Sequence, residues 1–253
     1  MKIIIYILLC LFCLSGCSGC SKSGRKNLTR GLRVPVNKIT PISKPSESEG
    51  QGVVYPPNNT KENIPAGSLS GLYEKLKPSV FMVVVSYAEG GSAQGSGFFI
   101  SSGGIGISNY HVFKGGARGE AYVKTFDGSV YKVGQVLDYN EKMDYIVFKL
   151  VTDNSNFPPI PIADHQPLVG EDVFAIGSPK GLEHTLSKGI VSSYRENDLY
   201  IQTTAEITHG SSGGALFNMQ GEVVGITSAG YGEADINFAM NLQKLGVKKF
   251  ATQ

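Results

Sequence analysis

From Val80 onward the sequence is cut into short apolar runs rich in β-branched and aromatic residues, each closed after a few positions by turn-forming residues. Val80 to Val85 reads as a buried strand. Gly97 to Ile100 and Ile105 to Ser108 flank a Ser-Gly-Gly turn, and Tyr122 to Phe126 and Val130 to Val133 flank Asp127-Gly128, a two-residue hairpin signal. Asp144 to Leu150, Asp172 to Ile176 and Leu199 to Thr203 alternate, while Gly189 to Ser193 and Val223 to Thr227 are short β-branched runs. Turns recur too often for long crossover helices, so the spacing predicts an all-β barrel or sandwich of about 180 residues, not an α/β domain. Helix is expected only at the ends. Leu72 and Leu76 mark a turn or two stopped by Pro78, and a short helical tail follows the last strand.

The 253-residue chain is 41% hydrophobic, enough for a real core. All four cysteines, Cys10, Cys13, Cys17 and Cys20, precede residue 21, so no disulfide can staple the body and the core must stabilise it alone. Met1 and Lys2 lead into an apolar run from Ile3 to Leu14, suited to a signal-peptide core. Leu14-Ser15-Gly16-Cys17 resembles the bacterial lipobox, which implies cleavage before Cys17 and acylation of its thiol. Cys10 and Cys13 would leave with the signal, so their spacing is not read as a metal or redox site. From Ser18 to about Ser70 the chain is rich in Ser, Pro, Gly, Asn and Lys without period, as a flexible spacer is. The expected organisation is a signal peptide over 1–16, a lipidated linker over 17–70 and one folded domain over 71–253. A net charge of +2 gives no electrostatic case for a nucleic-acid partner.

The strongest local chemical signal is Gly210-Ser211-Ser212-Gly213-Gly214. A nucleophilic serine needs a turn whose backbone N–H groups converge beside its hydroxyl to stabilise an oxyanion, and flanking glycines permit that turn. An ordinary Ser-Gly loop is the bland alternative. Serine also needs a base. Of four histidines, His111 ends the strand Ile105 to Ser108, His165 and His184 sit in connections, and His209 is too near Ser212 in sequence to face it. Asp144, opening the strand to Leu150, is the best third member, with Asp138 as competitor; a carboxylate leading a buried strand needs a partner, and an imidazole N–H would be one.

Gly95-Ser96-Gly97-Phe98-Phe99-Ile100, Asn109-Tyr110-His111-Val112, Asp144-Tyr145-Ile146-Val147, Gly177-Ser178-Pro179, Gly210 to Leu216, Gly225-Ile226 and Asn237-Phe238-Ala239 together resemble the successive signatures of HtrA/DegP-type trypsin-like serine proteases. The resemblance covers about Leu72 to Leu242. It implies a double six-stranded β-barrel with short terminal helices and the site between the barrels. It further implies a His111, Asp144, Ser212 triad, an oxyanion hole from the N–H groups of Gly210 and Ser212, and a hydroxyl at Ser228 supporting the aspartate. Ile226, Thr227 and Ser228 would offer an edge on which an extended peptide pairs. Glu206 resembles the base of the primary specificity pocket, which would favour a basic residue before the scissile bond. The implied substrates are peptides or unfolded proteins, with no metal or cofactor, a membrane anchor through Cys17, and a homo-oligomer as the common assembly of such proteins. Ser211 stands where trypsin-type zymogens carry an activating aspartate, a PDZ module is expected to be absent, and Thr208-His209 departs from the usual Asn-Pro. A binding or chaperone-type module and an esterase are the rival functions.

Overall fold

The computed structural model describes residue 65 and residues 67–116, 121–153, 156–178, 184–208, 210–231 and 236–252. The expected signal peptide, Cys17 and most of the linker lie outside these described residues.

Among the described residues two closed six-stranded barrels form, as the resemblance implies. The first comprises β1 (Val80–Ser86), β2 (Ser92–Phe99), β3 (Ile105–Ser108), β4 (Ala121–Lys124), β5 (Val130–Asn140) and β6 (Tyr145–Leu150), paired in the order β1-β2-β3-β6-β5-β4. The second comprises β7 (Asp172–Gly177), β8 (Thr185–Arg195), β9 (Tyr200–Thr203), β10 (Ala215–Asn218), β11 (Val223–Tyr231) and β12 (Ile236–Asn241), in the order β10-β11-β12-β9-β8-β7. Neighbours within each barrel pair antiparallel.

The two-residue period of a strand explains where the core sits. Phe81, Val83, Val123 and Phe148 fill the first barrel, and Val173, Ala175, Val191 and Leu216 fill the second. Their neighbours along the same strands, Val80, Val147, Phe174, Ile176 and Phe217, join Phe98 of β2 in a third cluster drawn from both barrels. Phe174 and Phe217 stack there with ring centroids 4.9 Å apart. One face of β1 (Phe81, Val83, Val85) is buried and the other (Met82, Val84) half-buried, so Val80 to Val85 shows no polar alternation.

The helix α1 (Leu69–Leu76) is capped by Ser68, whose hydroxyl accepts from the Gly71 N–H at 3.1 Å, and it buries Leu72 and Leu76 in the inter-barrel cluster. The expected helical tail is two 3₁₀ turns, Leu242–Lys244 and Val247–Phe250; Asn241 caps the first by accepting from the Gln243 N–H. The expected two-residue hairpin at Asp127-Gly128 is one residue longer. The Thr125 N–H donates to the Ser129 carbonyl at 2.9 Å around Phe126, Asp127 and Gly128, with Gly128 at φ 85°. The Asp127 carboxylate selects this loop by accepting from the Thr125 hydroxyl and the Ser129 N–H, and the same bonds hold its pKa below the usual carboxylate value.

Candidate active site

His111 does not end a strand. It lies on a one-turn helix, α2 (Tyr110–Phe113), which follows β3 directly. Asn109 stands at the N-cap, fully buried, but its amide donates to the Asp144 carbonyl at 2.8 Å and so ties the start of α2 to the β5–β6 turn. Asp144 sits in that turn, one residue before β6, with φ 47°. Asp tolerates this left-handed conformation better than most residues, and here it turns the carboxylate toward α2.

The Asp144 carboxylate accepts from three donors. Oδ1 takes the His111 backbone N–H at 2.9 Å, while Oδ2 lies 2.8 Å from His111 Nδ1 and takes the Ser228 hydroxyl at 3.1 Å. A carboxylate can only accept, so Nδ1 carries the imidazole hydrogen and Nε2 presents a lone pair. The His111 side chain is 48% exposed and that of Asp144 21%, so the pair opens to solvent on the histidine side. Asp138 makes a different set of contacts, with the Tyr145 hydroxyl and Lys249.

The serine turn carries two glycines at positive φ, Gly210 at 95° and Gly213 at 89°. At Gly213 a Cβ would stand 2.2 Å from the Ser96 carbonyl oxygen and 2.3 Å from Ser108 Oγ, so only glycine fits. The Ser211 N–H donates to Thr208, the Gly213 N–H to Thr227 and the Gly214 N–H to Ser211. The Gly210 and Ser212 N–H groups make no hydrogen bond to another described residue. Those are the donors an oxyanion needs. The Ser212 hydroxyl donates to the Ser228 carbonyl at 2.8 Å, not to His111.

Two of the expected substrate contacts require correction. Ile226 and Thr227 are 0% and 1% exposed. Ile226 pairs with Ala215 and Met240, while Thr227 pairs with Ala239 and bonds Gly213 and Gly214 on its other side, so neither has an edge left for a peptide. Thr227 instead braces the serine turn, donating its hydroxyl to the Ser211 carbonyl at 2.5 Å. Only Ser228 of the three is free of the ladder, at the bulge between Thr227 and Ala229. Glu206 lines a cleft with Gly177, Thr185, Ser187, Thr208, Ser211 and Thr227. Through Ser211 and Thr227 that cleft reaches the residues next to Ser212 and Ser228. Sequence reasoning gave no part to Ser96 or Asn109 and a different part to Thr227; Ser96 and Asn109 lie inside quoted motifs, but nothing in their residue type announced their roles. Among the described residues no group of three or more His, Cys, Asp or Glu could hold a metal ion.

A family model described as a trypsin-like peptidase domain matches residues 95–226, the span holding His111, Asp144 and Ser212. Serine protease HTRA1 of Xenopus laevis is 35% identical over 202 residues, covering 73% of this chain and 42% of that protein. A probable periplasmic serine endoprotease, DegP-like, of Pseudomonas putida is 43% identical over 141 residues, covering 53% of this chain and 28% of that protein. The match therefore spans less than half the length of either relative. The solved serine endoprotease from Yersinia pestis superposes with a TM-score of 0.64 at 29% identity, covering 74% of this chain and 67% of that one.

Proposed function

Because the chain belongs to the trypsin-like peptidase family, and within it to the HtrA type, we propose that it is a serine endopeptidase acting through Ser212, His111 and Asp144. The observation that carries the reading is the clamp of His111 on Asp144 through both its backbone N–H and its ring, which leaves Nε2 as the available base. In the proposed reaction the Ser212 hydroxyl leaves the Ser228 carbonyl and gives its proton to Nε2 as Oγ bonds to the scissile carbonyl carbon. The carbonyl π pair becomes an oxyanion facing the Gly210 and Ser212 N–H groups. The imidazolium then protonates the leaving amine, the C–N bond breaks, and an acyl-enzyme remains for water to resolve by the same proton route. Asp144 stabilises the imidazolium without taking its proton.

The substrates in this reading are peptides or unfolded proteins, with the chain before the scissile bond lying along Ser228. A fluorophosphonate probe tests the assignment. It should label the wild type, which should also cleave casein, and should not label Ser212→Ala. Labelling of Ser212→Ala at the wild-type rate would place the nucleophile elsewhere. The resting bond from Ser212 to Ser228 favours a second reading, a binding module with little turnover. A wild type that protects unfolded protein but neither labels nor cleaves would establish it.

The domain is further proposed to be tethered outside the cytoplasm through a lipid on Cys17. Leu14-Ser15-Gly16-Cys17 supports this, as does the periplasmic description of the Pseudomonas putida relative. Cys17→Ser should move the mature protein from the detergent phase to the aqueous phase on phase separation; an unchanged partition would refute the anchor.

A further inference from the structure

Ser96, on β2 of the first barrel, is fully buried and makes four hydrogen bonds around the serine turn of the second. Its N–H donates to the Ser212 carbonyl at 2.8 Å. Its hydroxyl donates to the Gly210 carbonyl at 2.7 Å and accepts from the Ser178 N–H at 2.8 Å. Its carbonyl accepts from the Ser108 hydroxyl at 2.7 Å.

The peptide planes of the turn show what this achieves. The plane between Gly210 and Ser211 is pinned at both ends, its carbonyl by Ser96 Oγ and its N–H by the Thr208 carbonyl at 3.0 Å. The plane between Ser212 and Gly213 is pinned by the Ser96 N–H and by the Thr227 carbonyl. Between Ser211 and Ser212 the carbonyl is held by Thr227 Oγ1 and the Gly214 N–H, which leaves the Ser212 N–H pointing free. Two of the three planes thus depend on Ser96. Gly210 has no Cβ and accepts either sign of φ at little cost. The peptide that carries its N–H adjoins the Gly210–Ser211 peptide, so the Ser96 hydroxyl and the Thr208 carbonyl supply the fixed end against which the φ of 95° is held.

We infer that Ser96 is a positioning residue for the oxyanion hole: its hydroxyl anchors the Gly210–Ser211 peptide, the fixed end from which the adjoining peptide presents the Gly210 N–H to the developing charge. The inference rests on the endopeptidase reading above. Ser96→Ala removes the donor to Gly210 and the acceptor of a buried N–H, while the Ser96 backbone bonds and the His111–Asp144 clamp stay in place.

The test compares wild type, Ser96→Ala and Ser96→Thr on a chromogenic peptide, with thermal melts to confirm that each is folded. Deleting one oxyanion donor costs roughly 10²- to 10³-fold in kcat. Because the donor is here loosened and not deleted, Ser96→Ala should lose about ten- to a hundredfold. The loss should fall on kcat, with KM held within about threefold and the acid limb of the pH profile unmoved, because the base is untouched. Ser96→Thr, which keeps the hydroxyl, should recover most of the rate. A folded Ser96→Ala with kcat within twofold of wild type overturns the inference, as does a loss carried by KM. Should Ser96→Ala not fold, Ser96→Cys, nearly isosteric with a weak donor, takes its place under the same criteria. A wild type that neither cleaves nor labels would remove the endopeptidase reading and this inference together, a result distinct from an active wild type indifferent to Ser96.

Discussion

Asp144→Asn isolates the control of the imidazole tautomer. The carboxamide has one acceptor oxygen where the carboxylate has two, so it must choose between two orientations. If its oxygen stays at Oδ1, the His111 backbone N–H at 2.9 Å keeps its acceptor. The NH₂ group then takes the Oδ2 position, 2.8 Å from His111 Nδ1 and 3.1 Å from the Ser228 hydroxyl, and can donate one hydrogen to each. If it flips, the NH₂ group faces the backbone N–H, leaving two donors opposed at a cost of about 1–3 kcal/mol. The first orientation wins. It satisfies every group and therefore changes stability by less than about 1 kcal/mol. It also forces Nδ1 to accept, which moves the imidazole hydrogen to Nε2 and removes the base facing Ser212. For a triad of this kind the loss is roughly 10⁴-fold in kcat, or about 5.4 kcal/mol of barrier. The assay is kcat and KM on a peptide substrate beside a thermal melt. A folded variant within tenfold of wild type would refute the reasoning and show that Asp144 does not set the tautomer.

Two further expectations concern the scaffold. Phe217 is fully buried and stacked on Phe174 between the barrels, so Phe217→Ala should lower the unfolding free energy by about 3–5 kcal/mol in urea; a loss under about 1 kcal/mol would mean the gap closes. Burial, followed by the charges of Asp198 and Glu171, pushes the Tyr194 phenol up to about 12 from its ordinary 10.0. The folded state then holds the proton longer than the unfolded state, so stability should fall as pH rises from about 10 to about 12. Tyr194→Phe loses the hydrogen bond to the Pro167 carbonyl but should flatten that alkaline slope in melts across the range; an unchanged slope would assign it to other groups.

What the sequence made legible was set by how each segment is buried. The apolar run Val80 to Val85 announced a strand because no side chain in it is exposed, whereas Asp172 to Ile176, which reads as alternating, is buried from Val173 onward. β10 was hidden because Ala215–Asn218 follows directly on the glycines of the serine turn, and β12 because it carries the buried polar residues Asn237 and Asn241. Four residues of α2 are too few to show a 3.6 period. Ser212 and His111 could be read from their motifs, whereas the φ of 47° that aims Asp144 could not. Ile226 and Thr227 were misread as a free edge because one strand's sequence does not reveal that a closed barrel takes both its sides.

The distribution of the site over the two barrels bears on what keeps it active. His111 and Asp144 belong to the first barrel, and Ser212 and Ser228 to the second. Polar links between the barrels at the site include the Ser96 N–H to Ser212, the Ser96 hydroxyl to Gly210, the Ser178 N–H to Ser96 and the Ser228 hydroxyl to Asp144. Single bonds of this kind contribute about 0.5–1.5 kcal/mol each, too little to hold two domains in register. The registration must come from the apolar cluster of Val80, Phe98, Phe174, Ile176 and Phe217, whose burial is worth several times more. Chemistry and packing are thus separated in this fold. The polar residues aim groups that the aromatic interface has already brought within reach, so a loosened interface would disorder the aim of Gly210 and Asp144 before either barrel unfolds.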